Sequence, residues 1–291
     1  MSSPQQPSSP SGSTMLLHLQ TVPARNGVLW IRHGFEIFRR RPLALTGLLS
    51  LFLFLAFVVL SIPVLGVVAL LMSLPMLSLG FMLATHLVLQ NRTPTAGVYL
   101  MPLKLTAQRR RSQLMLCAAY AAATFAVALL AQWVDGGSLE ALEQLAASGA
   151  SPDQMASAAS DSRLFLGALT RLGLAALVSV PFWHAPALIH WGGQGVMQAL
   201  FSSTLGVWRN KGAFAVNGLL WAALMMAMGM VCSILAVVLG LTEQTLPLLA
   251  VPLVLLASTV FYSSLYFTFV DCFLFAAPKD LPEPAELPRQ D

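Results

Sequence analysis

Six long runs of apolar residues, separated by short polar stretches, set the period of this chain. A bilayer core of about 30 Å is crossed by roughly 20 helical residues at about 1.5 Å each. The first run, Leu43 to Ile62, has that length, and the second, Val64 to Leu89, follows across Pro63 and Gly66 as a tight hairpin. The third runs from Gln113 to Val134. The fourth is Leu172 to His190, with an outward extension to Arg163. The fifth is Ala213 to Leu241, and the sixth begins at Leu246 or Leu248 and ends near Ala277. The pattern predicts an all-α, polytopic transmembrane bundle, with six spanning helices arranged as three hairpins.

The polar stretches alternate in charge. Residues 1–42 carry Arg25, Arg32, Arg39, Arg40 and Arg41, and residues 91–112 carry Arg92, Lys104, Arg109, Arg110 and Arg111. Arg209 and Lys211 lie between the fourth and fifth runs, and Lys279 and Arg289 lie in the tail. The alternate loops hold Asp135, Glu140, Glu143, Asp153, Asp161 and Glu243 against Arg163 alone, with Arg171 left inside a span. Fourteen basic residues on one side against one on the other place both termini in the cytoplasm by the positive-inside rule.

Composition agrees with a lipid solvent. Of 291 residues, 57% are hydrophobic and 10% charged, against roughly a quarter charged in an average soluble domain. The net charge of +4 and pI near 9.3 do not point to nucleic acid, because the basic residues hug the ends of apolar runs, where they meet anionic headgroups. Cys117, Cys232 and Cys272 all fall inside apolar runs without a CxxC pair, so neither a disulfide framework nor a zinc site is expected. Residues 1–14 and 278–291 read as disordered tails, with no cleavable signal peptide and with Met15 as an alternative start.

Residues 15–42 read as an amphipathic, interfacial segment. Val28, Ile31, Phe35 and Phe38 share one helical face, with Trp30 and Gly34 beside them, and Arg32, Glu36, Arg39 and Arg40 take the other. A second such helix spans Val196–Asn210, with Val196, Met197, Leu200, Leu205 and Trp208 facing Gln198, Ser202, Arg209 and Asn210. Both fit helices lying at headgroup depth. The segments Phe38-Arg39-Arg40-Arg41 and Trp208-Arg209-Asn210-Lys211 resemble each other, and prolines fall only in the second, fourth and sixth spans. This reads as a weak threefold repeat of hairpins.

Ionisable residues inside a membrane are the default functional candidates. His86, His190 and Asp271 fall near the cytoplasmic ends of their spans, at the level of Arg39 and Arg209, while His184 lies deeper, between Pro181 and Pro186. One reading is a polar, cytoplasm-facing cavity in which Asp271 pairs with Arg39 or Arg209. The other is that these end-of-helix groups snorkel to the headgroups. His184 and His190 are six residues apart and do not share a helix face, which argues against a metal site. Thr268 and Ser264 continue a polar line from Asp271 that suits bonds to a neighbouring helix. Ala118, Ala122 and Ala126 form a small-residue face expected to let another helix approach closely. Met225, Met226, Met228 and Met230 spread around their helix as packing residues.

The segments Val22-Pro23-Ala24-Arg25, Gly34-Phe35, Phe38-Arg39-Arg40, Pro42-Leu43-Ala44-Leu45, Leu77-Ser78-Leu79-Gly80-Phe81-Met82, Ala185-Pro186-Ala187-Leu188 and Gln198-Ala199-Leu200-Phe201-Ser202 resemble a family of uncharacterised proteobacterial six-helix inner-membrane proteins. The resemblance runs from about Leu16 to Pro278 and carries no reaction with it. The expectation is a non-enzymatic integral inner-membrane protein without cofactor or metal, acting through membrane lipids and a membrane-protein partner or a second copy. The alternative is a small transporter or channel for an amphiphilic or hydrophobic solute. A membrane enzyme comes third, for want of paired carboxylates or a Ser/His/Asp set at one depth.

Overall fold

A computed structural model describes residues 16–240 and 245–276. Glu243 and both expected tails lie outside the described residues. A short strand β1 (Leu16–Leu19) precedes α1 (Asn26–Arg40), α2 (Pro42–Leu60) and α3 (Leu65–Leu89). Two 3-10 turns lead to α4 (Ala107–Asp135). The short α5 (Ser138–Ala147) and α6 (Pro152–Ala159) cap the loop to α7 (Ser162–Phe182) and α8 (Ala185–His190). Then come α9 (Val196–Arg209), α10 (Lys211–Leu239), α11 (Leu246–Cys272) and β2 (Phe273–Ala276). Six helical segments are long and apolar enough to span a membrane, the fourth being α7 and α8 together. They form the hairpins α2/α3, α4/α7 and α10/α11.

The sixth helix is shorter than its apolar run suggests. The backbone turns extended at Phe273 (φ −133°, ψ 116°), and Phe273–Ala276 pairs antiparallel with Leu16–Leu19, Leu16 opposite Ala276. The segment 15–42 therefore begins with a strand that ties the start of the chain to the end of its last span. Asn210, buried between α9 and α10, locks this junction. Its Nδ2 donates to the carbonyls of Gln20 and Gly206, both at 3.0 Å, and to Cys272 Sγ at 3.3 Å, while its Oδ1 accepts from Val22 N at 2.8 Å.

The amphipathic helices turn a different side inward from the one their greasiest residues mark. The buried face of α1 is Gly27, Trp30, Gly34 and Ile37, whereas Val28 and Phe35 are exposed. A Cβ on Gly27 would collide with the Ala213 carbonyl of α10, and one on Gly34 would sit 2.9 Å from Ser264 Cβ of α11. Small residues let backbones approach, and lipid takes the large apolar side chains. The same inversion holds in α9, which buries Ala199, Ser203 and Gly206 and exposes Met197, Phe201 and Trp208. The expected alanine face of α4 is a correction in the opposite direction. Ala118, Ala122 and Ala126 are exposed, and α4 instead buries Gln113, Leu116, Cys117, Ala121, Val127, Ala131 and Asp135.

Packing is uneven along the bilayer normal. In α2 only Leu45, Leu48 and Leu49, near the terminal-strand end, are buried. The buried run of α11 is Thr259 to Cys272, that of α3 is mostly Pro75 to Val88, and α8 is buried from Ala185 to Ile189. The three hairpins are thus knotted together at the end that carries β1 and β2, and they part toward the far end.

Candidate functional site

The break between α7 and α8 organises the knot. Pro181 and Pro186 lack N–H groups, so two rungs of the helical ladder are missing on either side of His184. Ser203 of α9 fills the gap, its hydroxyl accepting from His184 N at 3.0 Å and donating to the Val180 carbonyl at 3.0 Å. A hydroxyl inserted into the ladder is one of the recognised causes of a sharp kink. The turn aims the His184 ring into a fully buried setting between Phe214, Phe269 and Phe273, at centroid distances of 5.7, 6.0 and 5.3 Å.

Thr268 sets the state of that ring. Its one hydroxyl proton goes to the Leu265 carbonyl at 2.8 Å. It must therefore accept from both the Trp183 indole N–H and His184 Nε2, each at 3.2 Å. This assigns the proton of His184 to Nε2 and leaves Nδ1 buried without a partner among the described residues. The polar line of α11 is thus spent on neighbouring helices. One turn further along the line, the Ser263 carbonyl accepts from Thr85 Oγ1 at 3.2 Å.

Among the described residues, Asp271 pairs with no arginine. Its Oδ2 accepts from Asn26 Nδ2 and from Trp30 Nε1, both at 2.8 Å. The reason lies in α1, which the glycines bring so close that the fully buried Trp30 reaches α11 before any cation does. Arg39 is exposed at the end of α1. Arg209 is also exposed and donates from Nε to Thr21 Oγ1 at 2.8 Å.

His86 and His190 flank Trp191 with ring centroids at 6.2 and 5.2 Å. His86 Nδ1 lies 3.0 Å from the Tyr266 hydroxyl, and its Nε2 lies 2.9 Å from Gln90 Nε2. The His190 carbonyl accepts from Arg109 at 3.0 Å. The structure therefore brings His86 and His190 together about one indole, sets His184 on Thr268, sets Asp271 on Asn26 and Trp30, and leaves Arg39 and Arg209 at the surface. Among the described residues, the hydrogen bonds of these six go to separate partners rather than to one another.

A further ionic site sits at the far end. Asp135, buried at the end of α4, accepts from Gly137 N at 2.8 Å and faces Arg171 Nη2 at 3.3 Å. The arginine left inside a span thus has its counter-charge at the last turn of the preceding span. By sequence Asp135 counts as a loop residue, Trp30 and Asn210 stand out only as members of the interfacial helices, and Asn26 and Ser203 carry no signal beyond their polarity. An exposed apolar stripe runs along α9, where Met197, Phe201, Leu205 and Trp208 follow one another at spacings of four and three. Arg209 and Lys211 close its end, with Lys211 Nζ 5.2 Å over the Trp208 ring.

The chain is 32% identical over 265 residues to a protein of Burkholderia thailandensis named as a probable inner membrane protein, and the match covers 88% of this chain and 94% of that one. No family model matches the chain, and no solved structure matches it.

Proposed function

The chain belongs to the inner-membrane protein family of that Burkholderia relative, and on this premise we propose that it is a non-enzymatic multi-pass protein working through contacts with lipid headgroups on the cytoplasmic side. The observation that carries the reading is the α9 stripe. Four large apolar side chains stand exposed on one face, and cations gather at its C-terminal end. A helix of this kind lies in the interface, its apolar face among acyl chains and its cations among phosphates.

The orientation rests on the fourteen-to-one distribution of basic residues. Six spans return the chain to the side where it began, in keeping with the pairing of β1 and β2. The non-enzymatic reading is supported by how the membrane's polar groups are used. Asp271, Thr268 and Thr85 are all engaged in helix-to-helix hydrogen bonds.

Spin labels at Met197 and Phe201 in proteoliposomes test the docking of α9. Both should collide with oxygen more than with a water-soluble nickel chelate. Equal or greater access for the chelate would remove the reading. Orientation is tested separately by impermeant thiol reagents applied to whole cells. A cysteine at Ser148 should label and one at Gln108 should not, and the reverse would invert the topology.

A further inference from the structure

The parting of the hairpins leaves an apolar groove of about 840 Å³ between α2 and α11, floored by α3. Its walls run from Leu49 to Leu60 on α2 and from Ala250 to Tyr262 on α11, and Leu70, Leu74 and Leu77 form the floor. We propose that this groove is a binding site for a single long hydrocarbon chain, the acyl tail of a membrane phospholipid. The proposal goes beyond the headgroup contacts of α9 and involves none of their residues.

Three observations define the occupant. First, the groove is continuous with the surface that meets lipid. Its rim residues Leu53, Phe57, Leu60, Val251 and Val254 are exposed large hydrophobics of the spans, so the groove opens sideways into the bilayer. A space walled almost wholly by aliphatic and aromatic groups offers water too few partners to be filled by it. The polar exceptions, the side chains of Ser50, Ser258 and Tyr262, make no hydrogen bond among the described residues.

Second, its length suits one leaflet. Leu49 to Leu60 is eleven helical steps, about 16 Å at 1.5 Å each, close to half of a hydrocarbon core about 30 Å thick. The groove runs from the far end of α2 to mid-membrane, the path of a tail whose headgroup lies at the far interface. Assigning that interface to the outer leaflet rests on the orientation proposed above.

Third, it tapers. At the mid-membrane end Leu48, Leu49 and Leu77 are buried and the three helices close together. At the other end Phe57 is 76% exposed and Val251 62%. A helix of a second copy has a constant diameter of about 10 Å and cannot follow the narrowing, whereas a flexible chain can. The α2/α3 pair also carries a smaller pocket on its other flank, about 240 Å³, which shares Phe52, Ala56, Leu70 and Leu77 with the groove.

The test uses the full chain in vesicles of phosphatidylethanolamine and phosphatidylglycerol that contain a trace of phospholipid with a diazirine in the distal half of its acyl chain. After photolysis, label should concentrate on Leu49–Leu60 and Ala250–Tyr262. It should exceed severalfold the label on Met226–Leu239 of α10, where Met226, Val237 and Val238 are comparably exposed. Ala56→Phe, which fills the groove, should lower groove label severalfold and leave label on α10 unchanged, and Ala250→Phe should do the same from the opposite wall. Label spread evenly over groove and α10 would overturn the proposal, as would groove label untouched by both substitutions. Disulfide cross-linking between copies through cysteines at Leu53 and Val254, with no groove label, would assign the space to a partner helix and overturn it too. Photolabelling is indifferent to which leaflet the groove faces and to the docking of α9, so its failure leaves the preceding proposal standing.

Discussion

Asp271→Ala removes the one acceptor shared by Asn26 and Trp30, and its cost follows from what is left behind. The Trp30 indole is fully buried, and stranding a buried donor costs about 1–3 kcal/mol. The two bonds at 2.8 Å are charge-assisted, and each such bond contributes roughly 1.5–3 kcal/mol when its partners survive. These quantities overlap, so the whole substitution should destabilise the chain by about 3 kcal/mol. Trp30→Phe alone removes the donor and part of the packing on Phe214, which lies 5.0 Å away, at about 2 kcal/mol. In the double variant no buried donor is stranded. The double loss should then fall short of the sum by about 1.5 kcal/mol. Reversible unfolding in mixed micelles, followed by helical circular dichroism, measures all four corners of the cycle. Losses that add to within about 0.5 kcal/mol would refute the direct coupling. Arg39→Ala and Arg209→Ala serve as contrasts, and each should stay within about 0.5 kcal/mol of the parent if the carboxylate has no cationic partner.

Three further outcomes are expected. Gly27→Ala should cost about 1–3 kcal/mol through overpacking against the Ala213 carbonyl, while Gly47→Ala, which meets nothing nearby, should be neutral or slightly stabilising in the same unfolding assay. Asp135→Ala, which leaves Arg171 without its carboxylate, should destabilise the α4/α7 hairpin by about 2 kcal/mol, and Asp135→Asn by less, read as earlier protease cutting between α5 and α6. The Arg163 amide and the Ser138 hydroxyl hold the exposed Asp161 carboxyl below its ordinary value. The stability it lends to the start of α7 is therefore present at neutral pH and lost as pH falls through that lowered value. Protection of the Leu164 and Phe165 amides, taken relative to their intrinsic exchange rates, should fall only in strong acid, and a loss of protection between pH 5 and 8 would contradict the cap.

The spans were legible because only length and apolarity are needed to read them. The inward faces were not. The apolar faces of α1 and α9, Val28, Phe35 and Met197 among them, read as turned to the headgroup region, and that pattern does not mark which residues pack inward. A large apolar side chain gains little by leaving hydrocarbon, while a glycine or alanine gains a neighbour's backbone. Smallness is not sufficient either, as the exposed Ala118, Ala122 and Ala126 demonstrate. The partners of Asp271 escaped because charge was matched to charge by depth, whereas the helix brought closest by Gly27 and Gly34 carried an indole and an amide instead. The strand Phe273–Ala276 escaped because its residues continue an apolar run without a stop signal.

The pairing of Leu16–Leu19 with Phe273–Ala276 also governs how the molecule is made. The ribosome delivers β1 before the six spans and its partner after them. Until Leu246–Ala276 leave the exit tunnel, β1 lacks its ladder, α1 lacks the α11 surface that receives Gly34 and Trp30, and Asn210 lacks Cys272. Closure of so long a loop is slow relative to helix formation. The nascent chain therefore waits in the membrane with the end that carries β1 still open.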